Sequence, residues 1–179
     1  MTQTARLYGG SLYDLAAEEQ LTGIIREQME MILKLFRENP DYMKLLMEPS
    51  IPQEERNGLI EKAFGAQAER YLVNFLKLLC ERNILREYAG CFEEYTRRYN
   101  VDHNIAEAVV TSAIALSQEQ LAALKAKLQK LSGKEISLVT KTDPSVLAGL
   151  RVELEGKQLD GTVQSRLEGV SRKLNEIII

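Results

Sequence analysis

The sequence is poor in the residues that most often carry chemistry. Among 179 residues there are one histidine, two cysteines, four prolines and no tryptophan. One His and two Cys are too few for a four-ligand zinc site of the usual nitrogen and sulfur kind. No D-x-D-x-D-G loop offers clustered oxygens to a cation. No run approaches 18 consecutive apolar residues, so nothing reads as a membrane span. The opening Met1-Thr2-Gln3-Thr4-Ala5-Arg6 leads into an amphipathic pattern with Asp14, Glu18 and Glu19, without the apolar segment of a signal peptide. Charge of one sign is also lacking, with 23 Lys+Arg against 26 Asp+Glu and a net of -3. No Lys/Arg stripe stands clear of acidic neighbours, which argues against nucleic acid. The apolar content, 45%, is ordinary for a globular protein and excludes wholesale disorder.

A further absence divides the chain. All seven tyrosines and all four phenylalanines precede residue 100, so the last part has no aromatic residue. Charge changes near the same place: residues 1–104 carry 13 Lys+Arg and 17 Asp+Glu, residues 105–179 carry 10 and 9. One core with aromatics and one of aliphatics alone imply two domains, 1–104 and 105–179, joined near Val101-Asp102-His103-Asn104.

The first part reads as helices throughout. Leu7, Tyr8, Ser11, Leu12 and Leu15 recur at helical spacing, as do Leu21, Ile24, Ile25, Gln28, Ile32, Leu35 and Phe36 before Asn39-Pro40. Asp41 is the expected cap of a short third helix. Ser50 and Pro52 are expected to open a fourth that ends on Gly65 as the residue past its last turn. Residues 67–82 and 84–100 complete a six-helix bundle, the last with Ile84, Tyr88, Cys91, Phe92, Tyr95 and Tyr99 in one stripe. After Asn104 the period switches to two over Ala108, Val110, Ser112, Ile114 and Leu116. Ser117 with Gln120 forms a capping box for a helix closed by Gly133. Strands over Ile136–Thr140 and Leu150–Leu154 follow, with a turn at Glu155-Gly156-Lys157 toward a short piece at Leu159. A last helix carries Val163, Leu167, Val170, Leu174 and Ile177. The order strand–helix–strand–strand–helix describes a small α/β domain with helices over a sheet.

No set of residues makes an active site. His103 has no Ser or Cys near it in sequence and reads as a solvated linker histidine. Gly156-Lys157 lacks both the earlier glycine and the following Ser/Thr of a phosphate loop, since those positions hold Arg151 and Gln158. Cys80 and Cys91 sit inside apolar helical patterns, as small hydrophobes, and read as reduced thiols. On one continuous helix they would lie ~16 Å apart, too far for a disulfide. Arg97-Arg98 is too short for a basic patch. Catalytic residues, cofactors and metals are therefore expected to be absent.

Two helices carry more apolar surface than a bundle requires. The segment Tyr71–Cys80 is apolar at most positions. A stripe of Leu72, Leu76 and Leu79 suffices as an anchor, and Tyr71, Phe75 and Leu78 form a second stripe rotated by about 100° or less. Such a helix is either central or offers a second face to a partner. In the first helix, the small Gly9, Gly10 and Ser11 beside Tyr8 and Leu12 leave room for a shallow groove where another helix docks, or for close packing inside the bundle.

Four segments stand in order along the chain: Ala5-Arg6-Leu7-Tyr8-Gly9-Gly10-Ser11-Leu12-Tyr13-Asp14-Leu15-Ala16, Asn74-Phe75-Leu76-Lys77-Leu78-Leu79-Cys80-Glu81-Arg82-Asn83, Asp143-Pro144-Ser145-Val146-Leu147-Ala148-Gly149-Leu150 and Leu159-Asp160-Gly161-Thr162-Val163-Gln164-Ser165-Arg166-Leu167. Together, in order and spacing, they resemble the delta subunit family of bacterial F-type ATP synthases, counterpart of the mitochondrial oligomycin sensitivity conferral protein. Gly9-Gly10 departs from that family's more helix-favouring residues, and each glycine costs a helix about 1 kcal/mol relative to Ala. The resemblance implies a non-catalytic stator subunit, peripheral on the cytoplasmic face of the cell membrane and not inserted in it. It implies that the helical domain binds the N-terminal helix of an alpha subunit between helices one and five, at Tyr8, Ser11, Leu12, Phe75, Leu78 and Leu79. It also implies contact of the second domain with the stalk b subunits, assigned to Val163, Val170, Ile177, Ile178 and Ile179. A free-standing helical adaptor or regulator with a small α/β module is the alternative that the residues leave open.

Overall fold

The structure, a computed structural model, describes residues 1–144, 146, 150–154 and 156–160. Two compact units divide the chain, Met1–Tyr99 and one starting at Asn100. The first is helical: α1 Gln3–Glu18, α2 Thr22–Glu38, α3 Pro40–Leu46, α4 Gln53–Phe64, α5 Arg70–Glu81, a 3-10 turn Leu85–Glu87, and α6 Tyr88–Asp102. α6 continues past the division, so Val101 and Asp102 are helical and His103 and Asn104 make the turn that follows. Asn104 takes φ 53°, a left-handed conformation that Asn tolerates better than most residues.

The core of this unit forms where helical stripes meet. Ile25, Met29, Ile32 and Phe36 of α2, Leu72, Leu76 and Leu79 of α5, and Tyr88, Cys91 and Tyr95 of α6 are all buried. Aromatic rings meet edge to face, Phe36 on Tyr88 at 5.4 Å and Tyr13 on Tyr95 at 5.1 Å. Both buried phenols find acceptors: Tyr88 donates to the Met29 carbonyl at 3.1 Å and Tyr95 to that of Thr22 at 2.9 Å. These bonds remove the penalty of burying a hydroxyl.

Several local expectations are corrected. α3 begins on Pro40, whose fixed φ and missing N–H suit a first helical position, while Asp41 lies in the first turn and pairs with Lys44 at 2.8 Å. Ser50 bonds Glu48 and does not cap α4, whose entry residue is Pro52. Gly65 stays right-handed at φ -58°. α5 starts at Arg70, not 67, because the N–H groups of Gln67 and Ala68 both close back on the Phe64 carbonyl.

The second unit holds β1 Ile105–Ser112, α7 Gln118–Ser132, β2 Glu135–Thr142, β3 Leu150–Leu154 and β4 Lys157–Asp160. Its strand order is β2-β1-β3-β4. β1 and β2 run parallel, with Ala108 opposite Leu138, which requires the crossover that α7 supplies. β3 is antiparallel to β1, with Val110 opposite Val152. β3 and β4 form a hairpin in which Gly156 takes φ 76°, so the segment at Leu159 is a fourth strand. The Ser117/Gln120 capping box is present and Gly133 closes α7 at φ 69°. An aliphatic core of Ala106, Ala108, Val110, Leu128, Ile136 and Val152 lies on one face. The expected last helix, with Val163, Val170, Ile177, Ile178 and Ile179, lies outside the described residues.

Candidate docking groove

α1 has two working faces. Ala5, Gly9, Leu12, Tyr13 and Ala16 are buried, so its inward side is made mostly of small residues, and Leu7 is exposed. The glycines are not a free groove. A Cβ on Gly9 would fall 2.9 Å from the Cα of Cys91, so α6 already occupies that space. A Cβ on Gly10 would meet the Arg98 guanidinium, and one on Gly90 would lie 2.8 Å from the Cβ of Ala5. Close packing against the α6 backbone accounts for Gly9, whereas Gly10 meets only the movable end of the Arg98 side chain. Charge reinforces this seam. Arg97 grips the buried Glu94 carboxylate through two bonds of 2.7 and 2.8 Å, and Arg98 reaches it at 3.0 Å while pairing with Asp14 of α1 at 2.7 Å. The hydrogen bond from Arg97, aided by Arg98, holds the Glu94 carboxyl at about 2 against the opposing effect of burial.

The other face of α1 is open. Tyr8, Ser11, Leu12 and Leu15 line one wall of a groove of about 280 Å³, and Tyr71, Asn74, Phe75 and Leu78 of α5 line the other. Spacings of three and four put each set on one helix face. Leu12 and Phe75 form the floor, 3% and 7% exposed, and Leu78 stands at the rim, 37% exposed. Ser11 turns its hydroxyl back onto the Leu7 carbonyl at 2.9 Å, leaving the groove mainly apolar. The neighbouring Glu19 carboxylate holds the Tyr71 phenol above its usual range. A larger hollow of about 560 Å³ lies elsewhere, but five of its nine lining residues are charged: Glu27, Glu30, Lys34, Arg37 and Glu93. The smaller, apolar groove is the better surface for burying a partner helix.

Five of the six positions assigned from sequence therefore share one groove. Leu79 does not, because it is 0% exposed in the core. Its spacing with Leu72 and Leu76 already placed it on the anchoring stripe. The groove also takes in Leu15, Tyr71 and Asn74, the first two already on the apolar stripes of their helices but not assigned to the groove. Leu15 follows Leu12 by three and Tyr71 precedes Phe75 by four, so helical spacing was signal enough for those two. Asn74 gave none, being polar. Cys80 and Cys91 are free and buried, and burial pushes the Cys91 thiol up to about 12, unsuited to thiolate chemistry. His103 is exposed in the turn after α6.

The arrangement holds an apolar slot between two helices and no group poised to make or break a bond. Residues 4–174 match the family model for the ATP synthase delta (OSCP) subunit. The chain belongs to that family. It is similar to ATP synthase subunit delta of Desulfitobacterium hafniense strain DCB-2, 32% identical over 96% of each chain. It is also similar to that of Clostridioides difficile, 27% identical over 97% of each chain. In fold, it resembles a chain of the Toxoplasma gondii mitochondrial ATP synthase hexamer solved by cryo-electron microscopy. That match has TM-score 0.69 and 16% identity, over 97% of this chain and 98% of the other. This delta-family chain is a non-catalytic, peripheral-stalk subunit of F-type ATP synthase. Membership decides against the free-standing adaptor. Among the described residues no helix is long and apolar enough to cross a membrane, in keeping with a peripheral place in the complex.

Proposed function

We propose that the chain ties the catalytic head of the synthase to its stalk by docking the alpha subunit's N-terminal helix between α1 and α5. The observation that carries this is the apolar groove with buried Leu12 and Phe75 at its floor and Leu78 at its rim. Tyr8, Ser11, Leu12, Phe75 and Leu78 contact the helix in this reading, joined by Leu15, Tyr71 and Asn74. Residues 1–104 act as the head-binding domain, a six-helix bundle. Residues 105–179 form the stalk-binding domain. The b subunits bind it at Val163, Val170, Ile177, Ile178 and Ile179. In this reading the chain sits, as a peripheral subunit, on the cytoplasmic face of the cell membrane.

The mechanism is mechanical. Each catalytic step loads the stator with torque, and the joint must survive many turnovers. An apolar stripe laid into a groove stabilises binding by about 25 cal/mol per Å² buried, before the costs of association. The test is binding of a synthetic peptide of the alpha N-terminus to the full chain. Leu78→Asp should abolish binding while leaving the fold intact, since Leu78 sits at the rim. Unchanged affinity in that variant rejects the groove assignment.

A further inference from the structure

Gln28 stands out in α2. It interrupts the otherwise apolar run of Leu21, Ile24, Ile25, Ile32, Leu35 and Phe36, and it is half-buried. Its carboxamide oxygen accepts the backbone N–H of Glu69 at 2.8 Å, across 41 residues of sequence. Glu69 is the N-cap residue of α5 and makes no side-chain cap of its own. Its carbonyl accepts the first-turn N–H groups of Leu72 at 2.9 Å and Val73 at 3.1 Å. A capping box normally satisfies the N-cap N–H through a Glu or Gln three residues on. That position in α5 is Leu72, which cannot serve. Gln28 does the work from another helix.

The start of α5 is thus bonded to α2 through its backbone, and Tyr71 of the groove wall follows Glu69 by two residues.

The geometry points to Gln28 as a positioning residue that clamps the N-terminal end of α5 and so presets the width of the docking groove before a helix enters. This rests on the docking reading above but makes a claim about the free protein as well. Gln28 need not touch the docked helix. It acts through Glu69, fixing the wall that holds Tyr71, Phe75 and Leu78. A wall already in place spares the partner the cost of ordering it.

Amide hydrogen exchange on the full chain, with peptide binding measured in parallel, tests the clamp. Gln28→Ala should speed exchange at Glu69, Leu72 and Val73 while leaving Leu76–Cys80 protected. It should weaken the alpha N-terminal peptide by about three- to tenfold, the size of a lost cap. Gln28→Glu keeps an acceptor and should restore both readings. Unchanged first-turn exchange in Gln28→Ala overturns the clamp, as does equal acceleration along all of α5, which would signify general loosening. Faster first-turn exchange with unchanged affinity overturns its role in the groove. A wild-type chain that fails to bind the peptide rejects the docking reading, and the exchange pattern then still decides the clamp.

Discussion

The two sides of α1 meet their neighbours in opposite ways. Toward α6 the contact is sealed: Gly9 lies against the Cys91 backbone, Gly90 against Ala5, and Arg98 bridges Asp14 and Glu94. Toward α5 the larger Tyr8, Leu12 and Leu15 face Tyr71, Phe75 and Leu78 and leave a slot of about 280 Å³. Small residues let backbones approach until no space remains. Large residues hold the helices apart and present apolar surface to whatever enters. One helix is therefore both a structural member and half of a docking site. Its stability and its binding should respond to different substitutions.

The largest effect should separate adjacent residues of α5. Leu79→Ala should destabilise the helical unit by about 2–5 kcal/mol, through lost burial and the cavity left behind. Leu78→Ala should change stability by about 0.5 kcal/mol or less. Urea unfolding followed by tyrosine fluorescence reads this in the intact chain, because no tyrosine lies beyond Tyr99. Equal losses at the two positions would erase the distinction between core and groove stripes.

Gly9→Ala is the next test, aimed at the sealed side. Helix propensity alone favours the alanine by about 1 kcal/mol. The collision with the Cys91 backbone opposes it, at about 1–3 kcal/mol for overpacking against atoms that cannot turn aside. A net loss of stability is expected. A gain would show that α1 and α6 are free to separate.

Glu94→Gln probes the charged part of the seam. It should cost about 1–2 kcal/mol, since the bonds from Arg97 and Arg98 lose their ionic acceptor. pH gives the smallest and most diagnostic effect. The Glu94 carboxyl titrates near 2 when folded, below its ordinary 4.5. Its contribution is therefore complete above about pH 4.5, falls as the unfolded chain begins to take up the proton, and is gone below pH 2. The urea midpoint of the wild type should decline over that window more steeply than that of Glu94→Gln. Parallel curves would assign the acid sensitivity to other carboxylates.

Much of the fold was legible in order along the chain. The period of apolar residues located the helices of the first part, and alternation located β1. The capping box at Ser117 and Gln120 and the turns at Gly133 and Gly156 were readable because each depends on residues a few positions apart. Boundaries were missed where a neighbour competed for the same backbone groups, as when Phe64 drew in Gln67 and Ala68 ahead of α5. The groove was half legible. The second stripe of Tyr71, Phe75 and Leu78 was visible in α5. In α1, the residues around Tyr8, Ser11 and Leu12 left a docking groove and close packing equally open, because a local period does not say which side a neighbouring helix covers. Leu12 alone of these is fully buried, and Gly9 and Ala16 fill the inward side.

By itself, then, the sequence determined the kinds of element, their order and their apolar faces, because helical and strand periods are local properties of the chain. It also left few reactive groups, with one histidine and two cysteines. The tertiary structure decided which apolar face is sealed and which stays open. That depends on where α6 crosses α1, on the order β2-β1-β3-β4, and on a cap that Gln28 lends to α5 from 41 residues away. Contacts of that kind join residues distant along the chain, and no local period records them.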